Sequence, residues 1–187
     1  MLPTKAVLLD RDGVINPDVG HPHRVEDAVL FPDVVPGLLR LQSAGYALAI
    51  VSNQSGIARG HFEMSQVLQF NRTLVSSLKA GGVLLGLDHF FICPHEPADH
   101  CQCRKPKPGL IHSAARELNL DLRRSFLVGD AETDIGAGRA AGVLTILLNR
   151  ERRPTDTRAD WMVHGMTQVA DLIQRVDVPE SSELLYR

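Results

Sequence analysis

Two carboxylates, Asp10 and Asp12, follow an apolar run from Ala6 to Leu9. Four consecutive apolar residues suit a strand buried on both faces, and open α/β sheets bind their ligands at the carboxyl ends of such strands. If the chain turns at Asp12-Gly13, both carboxylates converge on one small volume, where their repulsion calls for a cation or a shared proton. Mg2+, which is held through few carboxylates and keeps several waters, answers that need. A strand closed by a plain Asp-Gly turn is the alternative that needs no chemistry.

A second constellation lies downstream, where Cys93-Pro-His95 is followed by Cys101-Gln-Cys103. An odd number of cysteines makes a poor disulfide framework, whereas three thiolates and an imidazole complete the closed tetrahedral set of structural Zn2+. Each ligand pair here is separated by a single residue, closer than in a common zinc finger, and free buried thiols are the alternative. Arg104 and Lys105 come directly after, with Pro106 and Pro108 stiffening the exit. A transferring phosphoryl group spreads its charge over three equatorial oxygens and needs such cations, although a solvated basic loop has the same composition. Ser52, at the end of the apolar stretch Tyr46 to Val51, offers a hydroxyl and the amides that follow it. They can grip phosphoryl oxygens, unless Ser52-Asn-Gln-Ser-Gly56 is only a turn.

The elements that must hold these groups are read from apolar runs and breakers. Strands are expected at 6–9, 46–51, 88–93, 125–128 and 143–148, the fourth leading to Gly129-Asp130. Between them, helices are expected at 36–45, with Pro near its start and Gly45 at its stop, at 63–79, and at 110–118. Another opens near Asp134 and stops at Gly142, and a last one spans Met166 to Val176. Asp134 reads as an N-terminal capping carboxylate, outside the metal shell. Trp161 reads as core, and residues 177–187 as a frayed tail. Strands alternating with helices predict an α/β, Rossmann-like, mostly parallel sheet with helices on both faces, in a single domain over 1–187 that carries a metal-bound loop at 93–103.

Twenty basic and twenty-two acidic residues leave a formal charge of −2, with 44% hydrophobic residues. This balance gives no electrostatic reason to expect nucleic acid or an anionic membrane as partner. No apolar run approaches the roughly 20 residues of a membrane span, and Met1-Leu-Pro-Thr-Lys5 lacks the apolar core of a signal peptide. A cytoplasmic protein is expected.

Asp10-x-Asp12, Ser52, Lys105 and Gly129-Asp130 occur in the order that marks the haloacid-dehalogenase-like phosphatases, which the chain resembles over roughly residues 6–150. The resemblance implies a phosphomonoesterase with no large cap domain. In it Asp10 attacks phosphorus, Asp12 manages protons and offers its backbone carbonyl to Mg2+, Ser52 and Lys105 orient the phosphoryl group, and Asp130 completes the Mg2+ site. The zinc loop, with Cys93, His95, Cys101 and Cys103 as ligands, resembles that of the subgroup acting on heptose bisphosphates and histidinol phosphate. Asn16, Asp18 and Gly20, and the run Asn53-Gln-Ser-Gly-Ile-Ala-Arg-Gly60, resemble the heptose-bisphosphate branch; the histidinol-phosphate branch is expected to carry Asp in place of Ser55. Asp18, Gly20, His21, Asn53, Gln54, Ser55, Arg59 and Arg104 are thereby expected to contact a sugar bisphosphate, in a monomer. Two departures stand out: His21 where the subgroup commonly has Tyr, and Ala131 where a Lys often follows the acidic residue. A zinc-stabilised sensor without catalysis is the rival reading, disfavoured because it needs no nucleophile beside an acid.

Overall fold

The structure, a computed structural model, describes residues 2–176; the expected frayed tail at 177–187 lies outside the described residues. Six strands form one sheet: β1 (Ala6–Leu9), β2 (Ala47–Asn53), β3 (Phe90–Cys93), β4 (Phe126–Gly129), β5 (Leu144–Leu148) and β6 (Trp161–Val163). Their order is β3-β2-β1-β4-β5-β6, and every pairing is parallel.

Side chains alternate between two cores with the strand period of two. Val7, Leu9, Leu48, Ile50, Phe126 and Val128 enter one, and Ala6, Leu8, Ala49, Val51 and Leu127 enter the other. The first is covered by α1 (Val34–Ser43), α2 (Met64–Ala80) and α5 (Met166–Val176), through residues such as Leu38, Phe70, Leu74 and Ile173. The second is covered by α3 (Gly109–Glu117) and α4 (Glu132–Ala141), through Leu110, Ile111, Ala114 and Ala137. Each fully buried Leu or Ile contributes roughly 1.5–3 kcal/mol, so both faces of the central strands fix their register.

Three details differ from the sequence reading. β2 runs on through Ser52 and Asn53, because β3 supplies matching partners, Ser52 opposite Ile92 and Asn53 opposite Cys93. α1 begins at Val34, ahead of Pro36; a proline in the first turn removes only an N–H that has no intrahelical acceptor. Trp161–Val163 forms a sixth strand beside Ile146–Leu148, and Trp161 is only partly buried there, 6.3 Å from the Phe126 ring. The strand order reverses between β1 and β4, and the carboxyl ends at such a switch point open a crevice for ligands.

Candidate active site

Asp10 leaves β1 at that crevice, its N–H still bonded to the Val128 carbonyl of β4 at 2.9 Å. The chain then turns at Gly13, which holds φ at +78°, and a Cβ there would sit 1.9 Å from Oδ2 of Asp130. Glycine is thus required for the backbone conformation and for the approach of the neighbouring carboxylate. Gly129 likewise makes room for Asp134, since a Cβ at 129 would lie 2.1 Å from the Asp134 Cβ. Asp134 caps as expected, accepting the Ala131 N–H at 3.1 Å through Oδ2. Its other oxygen lies 2.6 Å from Nζ of Lys105, which places Asp134 inside the site as well.

Lys105 is buried, and its Nζ also reaches Asp10 Oδ1 at 2.8 Å and donates to the Val51 carbonyl at 2.7 Å. Asn53 fixes the Lys105 backbone from both sides, donating from Nδ2 to the carbonyl and accepting the N–H at Oδ1, each at 3.1 Å. Asp10, Asp130 and Asp134 bring carboxylate oxygens within 4.8 Å of one another. Burial raises Asp10 to about 7; Lys105 opposes the shift, and Asp134 and Asp12 reinforce it. Although its side chain is exposed, desolvation by the surrounding cleft and the charge of Asp134 raise Asp130 to about 6 against the pull of Lys105. Burial pulls Lys105 down, but Asp10 and Asp134 outweigh it and hold the ammonium above its ordinary value. Three carboxylates facing one ammonium form a hard-oxygen cradle with surplus negative charge, which suits a divalent cation such as Mg2+.

Asp12 stands outside this cluster. Its carboxylate accepts from Arg11 Nε and Nη2, from Asn16 Nδ2 and from Gln54 Nε2, all at 2.9 Å. Gln54 Nε2 also donates to Ser52 Oγ at 3.0 Å. Buried between these two side chains, Gln54 positions them and is not among the residues that line the cleft. That cleft, of about 260 Å3, is lined by Asp10, Asp12, Ser52, Asn53, Lys105 and Asp130, and also by Asp18, His21, Ser55 and Arg104. Gly20 holds φ at +81° and donates its N–H to Asp18 Oδ1 at 2.9 Å, which turns His21 toward the cleft. Arg59 does not line it; half-exposed, Arg59 lies 3.7 Å from Glu96.

Several residues of the site carry no local sequence signal. Arg150, just after β5, donates to the carbonyls of Gly13 and Val14 at 3.3 and 3.0 Å, and to both oxygens of Asp33 at 3.0 and 3.1 Å. Asp33 also accepts the Met166 N–H at 2.6 Å, so one carboxylate ties the loop after Asp12 to the start of α5. Arg11 and Asn71 are buried behind Asp12, 3.0 Å apart.

The thiol cluster is assembled as the spacing suggests. Cys93, Cys101 and Cys103 have Sγ separations of 3.3, 3.5 and 3.7 Å, and His95 Nδ1 lies 3.6 Å from Cys93 and 3.3 Å from Cys103. Ligands at 2.0–2.3 Å around a tetrahedral Zn2+ stand about 3.3–3.8 Å from one another, so the residues present fit that ion. Burial pushes the Cys93 thiol up to about 12 and raises Cys103. For Cys101, burial is outweighed by hydrogen bonds from the Arg104 N–H and from the thiols of Cys103 and Cys93, which bring it down to about 7.

Known proteins resemble this chain in sequence and fold. A family model described as HAD-hydrolase-like matches residues 102–175. The D-glycero-beta-D-manno-heptose-1,7-bisphosphate 7-phosphatase of Photorhabdus laumondii subsp. laumondii is 40% identical over 185 residues, covering 94% of this chain and 94% of its own. The protein of the same name from Haemophilus ducreyi is 42% identical over 180 residues, covering 90% and 98%. The chain belongs to this phosphatase family. Among solved structures, the D,D-heptose 1,7-bisphosphate phosphatase from B. bronchiseptica, complexed with magnesium and phosphate, superimposes with a TM-score of 0.79 at 30% identity, over 92% of this chain and 99% of that one. Membership makes the chain a phosphatase of the HAD-like hydrolases, and no helix among its described residues is long and apolar enough to cross a membrane.

Proposed function

We propose that this phosphatase removes the 7-phosphate of D-glycero-D-manno-heptose 1,7-bisphosphate, in the making of heptose precursors of bacterial lipopolysaccharide. The observation that carries the reading is the convergence of Asp10, Asp130, Asp134 and Lys105 at the switch point of the sheet, beside a separately held Asp12. An Asp10 oxygen attacks phosphorus and the bond to the sugar oxygen breaks, leaving an aspartyl phosphate. Asp12 gives a proton to the departing oxygen and later takes one from the water that displaces Asp10. Ser52 and Lys105 orient the phosphoryl oxygens, and Asn53 keeps Lys105 in place through its backbone. Asp10, Asp130 and the Asp12 carbonyl would hold Mg2+, with Asp134 as the neighbouring carboxylate, and the ion would neutralise phosphoryl charge as it develops. Cys93, His95, Cys101 and Cys103 would hold a structural Zn2+ that fixes the segment leading to Arg104 and Lys105. The protein acts as a monomer in the cytoplasm.

Asp18, His21, Ser55 and Arg104 receive the sugar, and Arg104 takes the phosphate that is not cleaved. Arg59, paired with Glu96, leaves that task to Arg104. A steady-state assay with heptose 1,7-bisphosphate and with histidinol phosphate tests the reading. The bisphosphate is expected to win in kcat/KM, and Arg104→Ala is expected to lower that value by about one to three powers of ten, with less effect on a monophosphate. Preference for histidinol phosphate would overturn the substrate; equal losses on both phosphate types would confine Arg104 to the transferring group.

A further inference from the structure

Arg11 separates Asp10 from Asp12 and is among the largest fully buried side chains, with 1% relative exposure. Nothing in the phosphoryl-transfer steps uses it, yet its guanidinium is committed on every side. Nε and Nη2 fork onto the two oxygens of Asp12, each at 2.9 Å. Nη2 also donates to the Pro22 carbonyl at 2.8 Å, and Nη1 donates to Asn71 Oδ1 at 3.0 Å. The Phe70 ring lies 4.4 Å from its central carbon. Asn71 itself is fully buried in the middle of α2, a place where an amide is costly unless it serves a partner.

We infer that Arg11 is a positioning residue for proton transfer: backed by Asn71 and Phe70, its planar fork fixes the orientation of Asp12. A bidentate guanidinium restricts both rotation and tilt of a carboxylate, which a single donor does not. The fork also turns Asp12 toward Asn16 and Gln54, leaving Asp10, Asp130 and Asp134 as the cation cluster. Four N–H donors occupy the Asp12 carboxylate, so for it to carry a proton one of them must be given up. The Arg11 fork is enclosed by α2 and the Pro22 carbonyl, which leaves Asn16 or Gln54 to release. The bond to Pro22 further joins Asp12 to the segment between β1 and α1 that carries Asp18 and His21. The inference rests on the proton-transfer role given to Asp12 above.

The test compares an alkyl phosphate, whose leaving oxygen needs a proton, with an aryl phosphate of low leaving-group pKa, which needs little. Positioned general acid catalysis is worth typically about 10²–10⁴-fold. Arg11→Met is expected to lower kcat/KM for the alkyl ester by about 10²-fold or more and for the aryl ester by less than about tenfold. Arg11→Lys, which keeps the charge but loses the fork, should recover only part of the difference. Asn71→Leu, which leaves Arg11 in place but unbacked, should show the same asymmetry on a smaller scale and serves if Arg11→Met does not fold. In an Asp12→Asn background, Arg11→Met should cost little more, because the group it positions is gone. Equal losses on both esters, or an undiminished loss in that background, would make Arg11 purely structural and overturn the inference. If Asp12→Asn alone fails to separate the two esters, the proton-transfer role of Asp12 is what fails, and the inference falls with it.

Discussion

The carboxylate cluster and the thiol cluster meet at Arg104-Lys105, and they are supported in opposite ways. Asp10 and Asp130 hang from the ends of β1 and β4, Asp134 from the first turn of α4, and Lys105 is pinned by Asn53 and the Val51 carbonyl of β2. Of the four thiol-cluster residues, only Cys93 belongs to a strand. The other three lie on a segment whose sole regular element is the 3-10 turn Pro97–Asp99. The first cluster therefore borrows its order from two hydrophobic cores and keeps an imbalance of charge. The second has Cys93 within one of those cores and Cys101 and Cys103 packed against it, but little regular backbone holds its segment, so the proposed Zn2+ must supply the rest of its order. A cation should be dispensable for folding in the first cluster and indispensable for local order in the second.

Asp10→Asn probes the difference with the largest effect. Turnover should fall at least about 10³-fold, the scale seen when a catalytic nucleophile is removed, because an amide does not attack phosphorus. Thermal stability near pH 8 should hold or rise, since burial pushes Asp10 to about 7 and the ionised group is therefore disfavoured in the folded state. Denaturation scans alongside a turnover assay would show it. A loss of both activity and fold would mean that the carboxylates are scaffold, and the contrast between the clusters would disappear.

Cys103→Ser should act in reverse, with a smaller effect on rate. Zinc content, measured by elemental analysis, should fall, and limited proteolysis should cut within residues 94–102. Activity should drop by about 10–10²-fold, the cost of an ångström-scale misplacement of Arg104 and Lys105, while the midpoint of Mg2+ titration stays in place. Full protease resistance in the variant despite the loss of zinc would show that the segment is ordered by other contacts.

The two clusters also differ in how far the sequence reveals them. The thiol ligands lie within one short segment, and Asp10 and Asp12 end a single apolar run, so local spacing exposes both. The buried strands are equally legible, because an apolar run such as Ala6–Leu9 fills both cores and Leu144, Ile146 and Leu148 enter one of them. What spacing does not convey is the direction of a side chain after a turn. Asp134 caps its helix as its position suggests, but only the missing Cβ at Gly129 lets the same carboxylate approach Lys105. Arg59 is near Ser55 in sequence, yet its N–H closes a turn onto the Ser55 carbonyl, its guanidinium lies beside Glu96 and it does not line the cleft. Arg150 grips the carbonyls of Gly13 and Val14 across more than a hundred residues of chain, a contact created by the β1-β4-β5 order alone.

The smallest expected effect is the most specific to the carboxylate cluster. A carboxyl whose pKa is raised by folding binds protons more readily folded than unfolded, so its contribution to stability is lost as pH climbs between the two values. For metal-free Asp10 that window runs from 3.8 to about 7, and for Asp130 from 3.8 to about 6. Mg2+ competes with those same protons. At a concentration about 100-fold above its dissociation constant it adds about 2.7 kcal/mol, or roughly 5–10 °C of Tm for a chain of this size, at about pH 8. At about pH 5.5 the protons held by Asp10 and Asp130, with pKa values of about 7 and about 6, weaken the apparent affinity, and the same Mg2+ adds less. The Tm increment from Mg2+ should therefore shrink severalfold between those two pH values and vanish in Asp10→Asn at both. An increment independent of pH would place the cation elsewhere than on Asp10. Zinc in the thiol cluster should leave the measurement unaffected, because the increment is read as a difference between samples that all contain it.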